Sequence, residues 1–142
     1  MTSIKHLLHI NASREAVYHA IATLKGLSNW WTVQVTGDEK IGGIIRFRFG
    51  DQGPDMKVTG LKPFDLVTWE CVGGEGWIGN EFSFVLDEND RKTRIRFEHS
   101  GWNETGDFYA SCSFSWARYM ESLRQYCQAG KGEAFGSDNY RK

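Results

Sequence analysis

The sequence predicts one α+β domain in which a curved antiparallel sheet packs against a long C-terminal helix. Between residues 44 and 102, apolar and polar residues alternate with a period of two, which is typical of antiparallel strands with one solvated face. From residue 106 onward, the apolar residues recur with the period of an α-helix instead. A run of strands followed by a helix indicates segregated elements, as in α+β domains.

The N-terminal part is predicted to form a strand, a short helix and a second strand. Residues 3–10, "SIKHLLHI", are compatible with a strand. In the following "NASREAVYHAIATLKG", Ser13 is a suitable N-cap and Gly26 a suitable stop, so we expect a helix of about three turns. "LSNWWTVQVTGD" then leads into a strand at residues 32–36.

With the remaining strands, the predicted sheet has six or seven strands. Their inward positions carry large side chains, namely Phe47, Phe49, Met56, Trp69, Phe82, Phe84, Phe97 and His99. A straight helix touches a curved sheet unevenly, and rigid aromatic rings fill the remaining space poorly. We therefore expect a cavity between sheet and helix.

The last helix is predicted to place one apolar stripe against that sheet, formed by Phe108, Cys112, Trp116, Tyr119, Leu123 and Tyr126. Gly130 ends the helix. We expect residues 1–130 to form one domain and residues 131–142 a loosely ordered C-terminal tail.

Composition and motifs exclude several classes of function. Lys and Arg number 17 against 18 Asp and Glu, which argues against binding to nucleic acid. No apolar run is long enough to insert into a membrane, and no export signal is visible, so we expect a cytoplasmic protein. Three cysteines without CxxC spacing predict no disulfide framework. His6 and His9 face opposite ways on a strand, so we expect no metal site. The glycine-rich "GGEGWIG" at 73–79 does not lead from a strand into a helix and so lacks the context of a phosphate-binding loop, and we expect no cofactor.

Several segments carry a family resemblance: "NASREAVYHAI", "WWT" at 30–32, "LKPFDLVTWE" at 61–70, "TRIRFEHSGW" at 93–102 and "YMESLRQY" at 119–126. Through them the chain resembles the START-like (SRPBCC, birch-pollen-allergen-like) superfamily. Within it, the chain is similar to the group named activator of heat-shock-protein-90 ATPase homologue 1-like. The resemblance covers essentially the whole chain, and its diffuse motifs indicate fold more than function.

The resemblance implies a helix-grip fold with a cavity between the sheet and the long helix. Members of the superfamily bind lipids, sterols, polyketides and other apolar small molecules, and a minority are enzymes. The group takes its name from a co-chaperone that has a separate N-terminal domain contributing to activation. Since we predict a single domain here, we do not expect a chaperone partner.

The predicted ligand site combines the inward sheet residues with helix and rim residues. Trp116 and Tyr119 lie on the helix side, while Trp102 and one of the adjacent Trp30 and Trp31 lie near the rim. One indole of that pair would enter the core and the other the cavity mouth, unless both simply pack. His99 would be the polar anchor of the cavity or, alternatively, a neutral core histidine with its own hydrogen-bond partners.

Three functions are compatible with this site. The first is binding of an apolar or amphipathic small molecule, lipid-like or aromatic. The second is a cyclase- or hydrolase-like enzyme, which requires His99 to converge with a carboxylate or Tyr119, or with Cys71 as a nucleophile. The third is a stress-related interaction module with an exposed apolar patch around Trp77 and Trp102. An edge strand would also permit a homodimer.

Overall fold

In the computed structural model, which describes residues 2–141, seven strands form one antiparallel sheet and three helices accompany it. The elements in chain order are β1 (Thr2–Ile10), α1 (Arg14–Ala22), α2 (Leu24–Trp30), β2 (Gln34–Gly37), β3 (Ile44–Arg48), β4 (Asp55–Lys62), β5 (Leu66–Gly73), β6 (Glu81–Asn89), β7 (Lys92–Trp102) and α3 (Asp107–Ala129). The predicted α+β helix-grip fold is confirmed.

The sheet order is β1-β7-β6-β5-β4-β3-β2, so the first strand lies beside the last one and β2 forms the opposite edge. Across the middle strands, Trp69 lies opposite Phe82, and Phe82 lies opposite His99. All three side chains are buried on the inner face. The alternation read from the sequence therefore places one row of large rings beneath α3.

The predicted N-terminal helix is two helices. The Ser13 hydroxyl accepts a backbone N–H at 3.1 Å, which confirms it as the N-cap of α1. The helix ends before Thr23, whose hydroxyl caps α2 by accepting the Gly26 N–H at 3.0 Å. Gly26 is therefore not a helix stop. A Cβ atom there would lie 2.6 Å from the Cα of Ala20, so glycine permits the close contact of α1 and α2.

Trp30 and Trp31 do not lie on an extended segment. Trp30 is the last residue of α2, and Trp31 is its C-cap. Their indoles are stacked, with ring centres 6.2 Å apart, and both are buried. The helical backbone thus sends both rings to the same side, beneath the sheet.

Helix α3 runs for 23 residues and ends at Gly130, whose φ of 81° suits a glycine C-cap. Its predicted stripe is buried at Cys112, Trp116, Tyr119 and Leu123. Phe108 differs, because it lies in the first helical turn and leaves 54% of its surface exposed. No helix within residues 2–141 is long and apolar enough to cross a bilayer.

The C-terminal segment 131–141 is packed rather than loosely ordered. The Phe135 backbone accepts the Val33 N–H at 3.0 Å and donates to the Trp31 carbonyl at 2.9 Å. The buried Ser122 hydroxyl accepts the Glu133 N–H at 2.7 Å. The segment has no apolar period, so these single-residue contacts left no pattern in the sequence.

Candidate ligand-binding site

Two adjoining concave spaces lie at one end of the sheet–helix interface. The inner pocket, of about 200 Å³, is lined by Trp31, Phe49, Trp77, Ser111, Cys112, Ser115, Trp116 and Tyr119. The outer cleft, of about 520 Å³, is lined by residues that include Arg48, Phe49, Asp51, Pro54, Glu75, Trp77 and Phe108. Because Phe49 and Trp77 line both spaces, these two rings form the boundary between them.

Trp77 reaches this boundary from the glycine-rich connection between β5 and β6. Gly74 and Gly76 adopt φ values of 90° and 93°, which disfavour side chains and turn the loop inward. The Trp77 ring lies nearly parallel to Trp31, at 6.5 Å and 16°, and to Trp116, at 5.9 Å and 18°. Trp77 is therefore not part of an exposed apolar patch, since its ring is half-buried and packs beside the pocket.

Two indole N–H groups near this end are buried without a nitrogen or oxygen acceptor among residues 2–141. They belong to Trp102 and Trp77. The Trp77 N–H interacts only with the Cys112 thiol, a weak acceptor, and this interaction offsets part of the rise that burial causes in the pKa of that thiol. By contrast, Trp30 donates to the Ala20 carbonyl at 2.8 Å, and Trp116 donates to His99. An unpaired buried donor costs about 1–3 kcal/mol. Among residues 2–141, the two indole donors without a nitrogen or oxygen acceptor thus both lie near this end of the core.

His99 is fully buried, and both of its ring nitrogens are occupied by protein groups. Nδ1 lies 3.1 Å from the Trp116 Nε1, and because an indole N–H can only donate, Nδ1 is the acceptor. The proton therefore sits on Nε2, which donates to Asn80 Oδ1 at 2.9 Å. Burial lowers the pKa of His99 to about 3. Of the two roles considered for His99, this geometry favours the neutral core histidine.

The groups required for catalysis do not converge. The Tyr119 hydroxyl lies 3.5 Å from that of Tyr140, and burial raises its pKa. The Cys71 thiol donates to the Gly73 carbonyl at 3.2 Å, and burial raises its pKa too. With both nitrogens of His99 engaged, neither residue has it as a base. Within residues 2–141, no three His, Cys, Asp or Glu side chains cluster in an arrangement for a metal ion.

The outer cleft offers little to an anionic ligand. Its Arg48 guanidinium donates to Asp55 Oδ1 at 2.8 Å and to the Phe47 carbonyl at 2.9 Å. Asp51 and Glu75 add two exposed carboxylates to the lining. A carboxylate ligand would meet like charges here and a cation that is already paired. The electrostatics of the cleft favour an uncharged molecule.

Comparison with known proteins shows the family to which the chain belongs. The family model described as "Activator of Hsp90 ATPase homolog 1-like protein" matches residues 11–128. The chain belongs to this family. Its predicted resemblance to the START-like superfamily, and to this group within it, is confirmed.

Solved structures agree with this family assignment. The solution structure of the Aha1 dimer from Colwellia psychrerythraea is 41% identical, with a TM-score of 0.86 over 93% of this chain and 100% of that one. The crystal structure of CalU16 from Micromonospora echinospora is 17% identical, with a TM-score of 0.76 over 97% of this chain and 78% of that one. SSP2350 from Staphylococcus saprophyticus is 14% identical, with a TM-score of 0.77 over 94% and 97%. The last two share the fold alone. No curated protein matches the sequence significantly.

In this Activator of Hsp90 ATPase homolog 1-like domain, the predicted site residues fall into three groups. The inner pocket is lined by Trp31, Phe49, Trp116 and Tyr119. Trp102 lines a separate surface cleft beside Phe108. The remaining residues lie in the packed core beneath the sheet, namely Trp30, Phe47, Met56, Trp69, Phe82, Phe84, Phe97 and His99. Their rings fill much of the space where a large cavity was expected, with Phe97 and Trp116 centred 4.4 Å apart.

Sequence reasoning left several lining residues out of the predicted site. Ser111 and Ser115 share the inner pocket with Cys112 and Trp116. The serines are four residues apart, and each directly precedes a buried stripe residue, so helical spacing could have placed both at the edge of the stripe. For Trp77, the inward turn depends on the loop backbone, which a row of glycines does not specify.

Proposed function

We propose that this protein binds a small, uncharged apolar or amphipathic molecule in the inner pocket, with any larger part extending into the outer cleft. The observation that carries this proposal is the inner pocket itself, an aromatic-walled space of about 200 Å³ beside an otherwise close-packed core. Ligand sites are typically concave, mostly apolar and furnished with a few polar groups. Here the serine hydroxyls are those groups.

The expected binding energy comes from burial of the ligand against rigid rings. Covering roughly 100 Å² of apolar ligand surface contributes about 2.5 kcal/mol. Trp31, Trp116 and Tyr119 are all at least nine-tenths buried, so binding would order few additional side chains. A pre-formed pocket of this size suits a compact molecule better than a long acyl chain.

The six indole N–H signals in a ¹⁵N–¹H NMR spectrum test this proposal. Uncharged aromatics, sterols and fatty acids are titrated separately into the full chain. We expect saturable shifts of the Trp31, Trp77 and Trp116 signals with the uncharged aromatic class. Trp30 is the internal control, because its N–H is bonded to the Ala20 carbonyl away from the pocket lining. No saturable shift with any class, or equal shifts at Trp30, would contradict the proposal.

A second candidate is a co-chaperone-like interaction, favoured by two exposed apolar side chains at the same end of the molecule. Ile78 is 67% exposed and Phe108 54% exposed, and both line the surface cleft that contains Trp102. The family description supplies the partner class, a chaperone ATPase of the Hsp90 type. We expect the protein to stimulate that ATPase and a Phe108→Ser variant to lose the effect. Absence of stimulation by the unmodified protein would exclude this candidate.

We also propose that the chain assembles as a homodimer. The support is the Colwellia relative, which is described as a dimer and shares 41% of its residues with this chain. Analytical ultracentrifugation at several concentrations should give twice the mass of one 16.2 kDa chain. A single-chain mass at every concentration would contradict the assembly.

A further inference from the structure

We propose that Trp77 is a size-selecting partition that confines the buried part of the ligand to one aromatic ring, so that the ligand class is a monocyclic, uncharged aromatic. This inference rests on the proposed binding function of the same pocket. It adds which residue limits the ligand and how large the buried group can be.

The position of the Trp77 indole supports its proposed role as a wall between the inner pocket and the outer cleft. The ring lines both the inner pocket and the outer cleft. It lies nearly parallel to Trp31 and Trp116, so it stands as a flat wall beside them. Together with Phe49, Trp77 therefore divides the inner pocket from the larger cleft, and removing the Trp77 ring would widen the connection between the two spaces.

The volume on the inner side of this wall suits a single ring. An apolar cavity of about 150 Å³ in another protein stays dry and binds benzene. The inner pocket, at about 200 Å³, exceeds that volume only modestly. A single ring fits this volume with room for a substituent, and we expect a second fused ring to press against Trp77.

Trp77 differs from the other walls in how it is held. The Trp116 indole is fixed by its hydrogen bond to His99, and the Trp31 backbone by its bond to Phe135. The Trp77 indole N–H has no nitrogen or oxygen acceptor among residues 2–141 and interacts only with the Cys112 thiol. The ring packs against His99 at 4.9 Å, but no hydrogen bond joins the two side chains. Changing Trp77 therefore leaves the hydrogen bond between His99 and Trp116 in place.

The polar groups of the pocket agree with this ligand class. Ser115 is half-buried on α3 and contributes a hydroxyl to the same lining. A hydroxyl can donate to or accept from a ring substituent. Since Asp51 and Glu75 line the adjoining cleft, an uncharged substituent is favoured over a carboxylate. Phenol is the simplest probe that satisfies these requirements.

The test compares phenol with 2-naphthol, which carries the same hydroxyl on two fused rings. Dissociation constants are measured by NMR titration for the unmodified chain, for Trp77→Ala and for Trp102→Phe. Trp102 is the matched control, because its indole also packs against His99 but does not line the inner pocket. In Trp77→Ala we expect the affinity for 2-naphthol relative to phenol to rise about tenfold or more, as when a pocket gains room for an added apolar group. In Trp102→Phe that ratio should not change.

The outcomes separate this inference from the function on which it rests. If the unmodified chain binds neither probe, the proposed function and the partition both fail. If it binds phenol but Trp77→Ala leaves the ratio unchanged, only the partition is overturned. Binding of 2-naphthol without phenol by the unmodified chain would also overturn the size limit. Should Trp77→Ala fail to fold, Trp77→Leu provides the same comparison with a smaller change of volume.

Discussion

Trp30 and Trp77 stack on the same partner in nearly the same way but belong to different regions of the molecule. Both rings lie at 16° to Trp31, at 6.2 Å for Trp30 and 6.5 Å for Trp77. Trp30 is fully buried, and its N–H is bonded to Ala20. Trp77 is half-buried at the pocket, and its N–H interacts only with the Cys112 thiol. Ring stacking therefore does not separate core from site here. Hydrogen bonding alone does not separate them either, because Trp116 lines the pocket with a paired N–H. What distinguishes Trp77 from Trp30 is that its ring borders the pocket.

Truncation of the two rings should give the largest difference. We expect Trp30→Ala to lower the free energy of unfolding by about 3–5 kcal/mol, because it leaves a cavity in a closed core. Trp77→Ala should cost clearly less, because its ring already borders open space. Urea unfolding followed by circular dichroism measures both. Equal losses would show that the two regions are equally packed.

Removal of one hydroxyl should loosen the region around Trp30. Ser122 donates to the Trp30 carbonyl at 2.8 Å and accepts the Glu133 N–H, so Ser122→Ala leaves both backbone groups without it. We expect a loss of about 1–3 kcal/mol and faster hydrogen exchange at Glu133. Ser28→Ala, at a half-buried position of α2 whose hydroxyl makes only a solvent-exposed bond to the Lys25 carbonyl, should change stability by less than about 0.5 kcal/mol. Unchanged exchange at Glu133 would show that Ser122 does not hold the C-terminal segment.

The buried His99 should make stability depend on pH. In the unfolded chain a histidine takes up a proton near pH 6.5, but burial holds the folded pKa at about 3. As the pH falls between these values, only the unfolded state gains the proton, so stability decreases by at most about 1.4 kcal/mol per pH unit. His99→Gln should flatten this slope between about pH 6 and 4.5. An identical slope in the variant would mean that another group dominates.

Replacing the indole of Trp77 or of Trp30 by a phenyl ring should give the smallest change in stability. The two variants should nevertheless distinguish the two regions. Trp77→Phe removes a donor whose only partner is the Cys112 thiol, a weak acceptor, so we expect a change within about 1 kcal/mol. Trp30→Phe removes the donor to the Ala20 carbonyl and should cost about 1–3 kcal/mol. Chemical denaturation of both variants under one set of conditions tests the comparison. A greater loss for Trp77→Phe would reverse it.

Elements whose sequence pattern repeats over many residues could be predicted from the sequence. Alternation over whole strands identified the sheet, and the helical period identified α3. The break between α1 and α2 could not be predicted, because Thr23 can sit within a helix or cap one. The close contact of Gly26 with Ala20 is a tertiary feature that leaves no local period.

The site was less predictable than the fold for a physical reason. Alternation tells which rings point inward, but not whether neighbouring rings touch or leave a gap. The Phe97 ring packs directly against Trp116. The rings of Phe49 and Tyr119, by contrast, have centres 6.2 Å apart and line the pocket. That difference depends on sheet curvature and on the backbone of the loop before β6, neither of which is encoded in one short motif.

The pairing of the first strand with the last has a consequence for how the chain folds during synthesis. β1 pairs with β7 from Thr2 opposite Trp102 to Ile10 opposite Thr93. Because β1 is synthesised well before β7, its backbone must wait unpaired until β7 has emerged from the ribosome. Such distant contacts form slowly, and a waiting strand can join a wrong partner. We expect β1 to be the last strand to form its hydrogen bonds within the sheet.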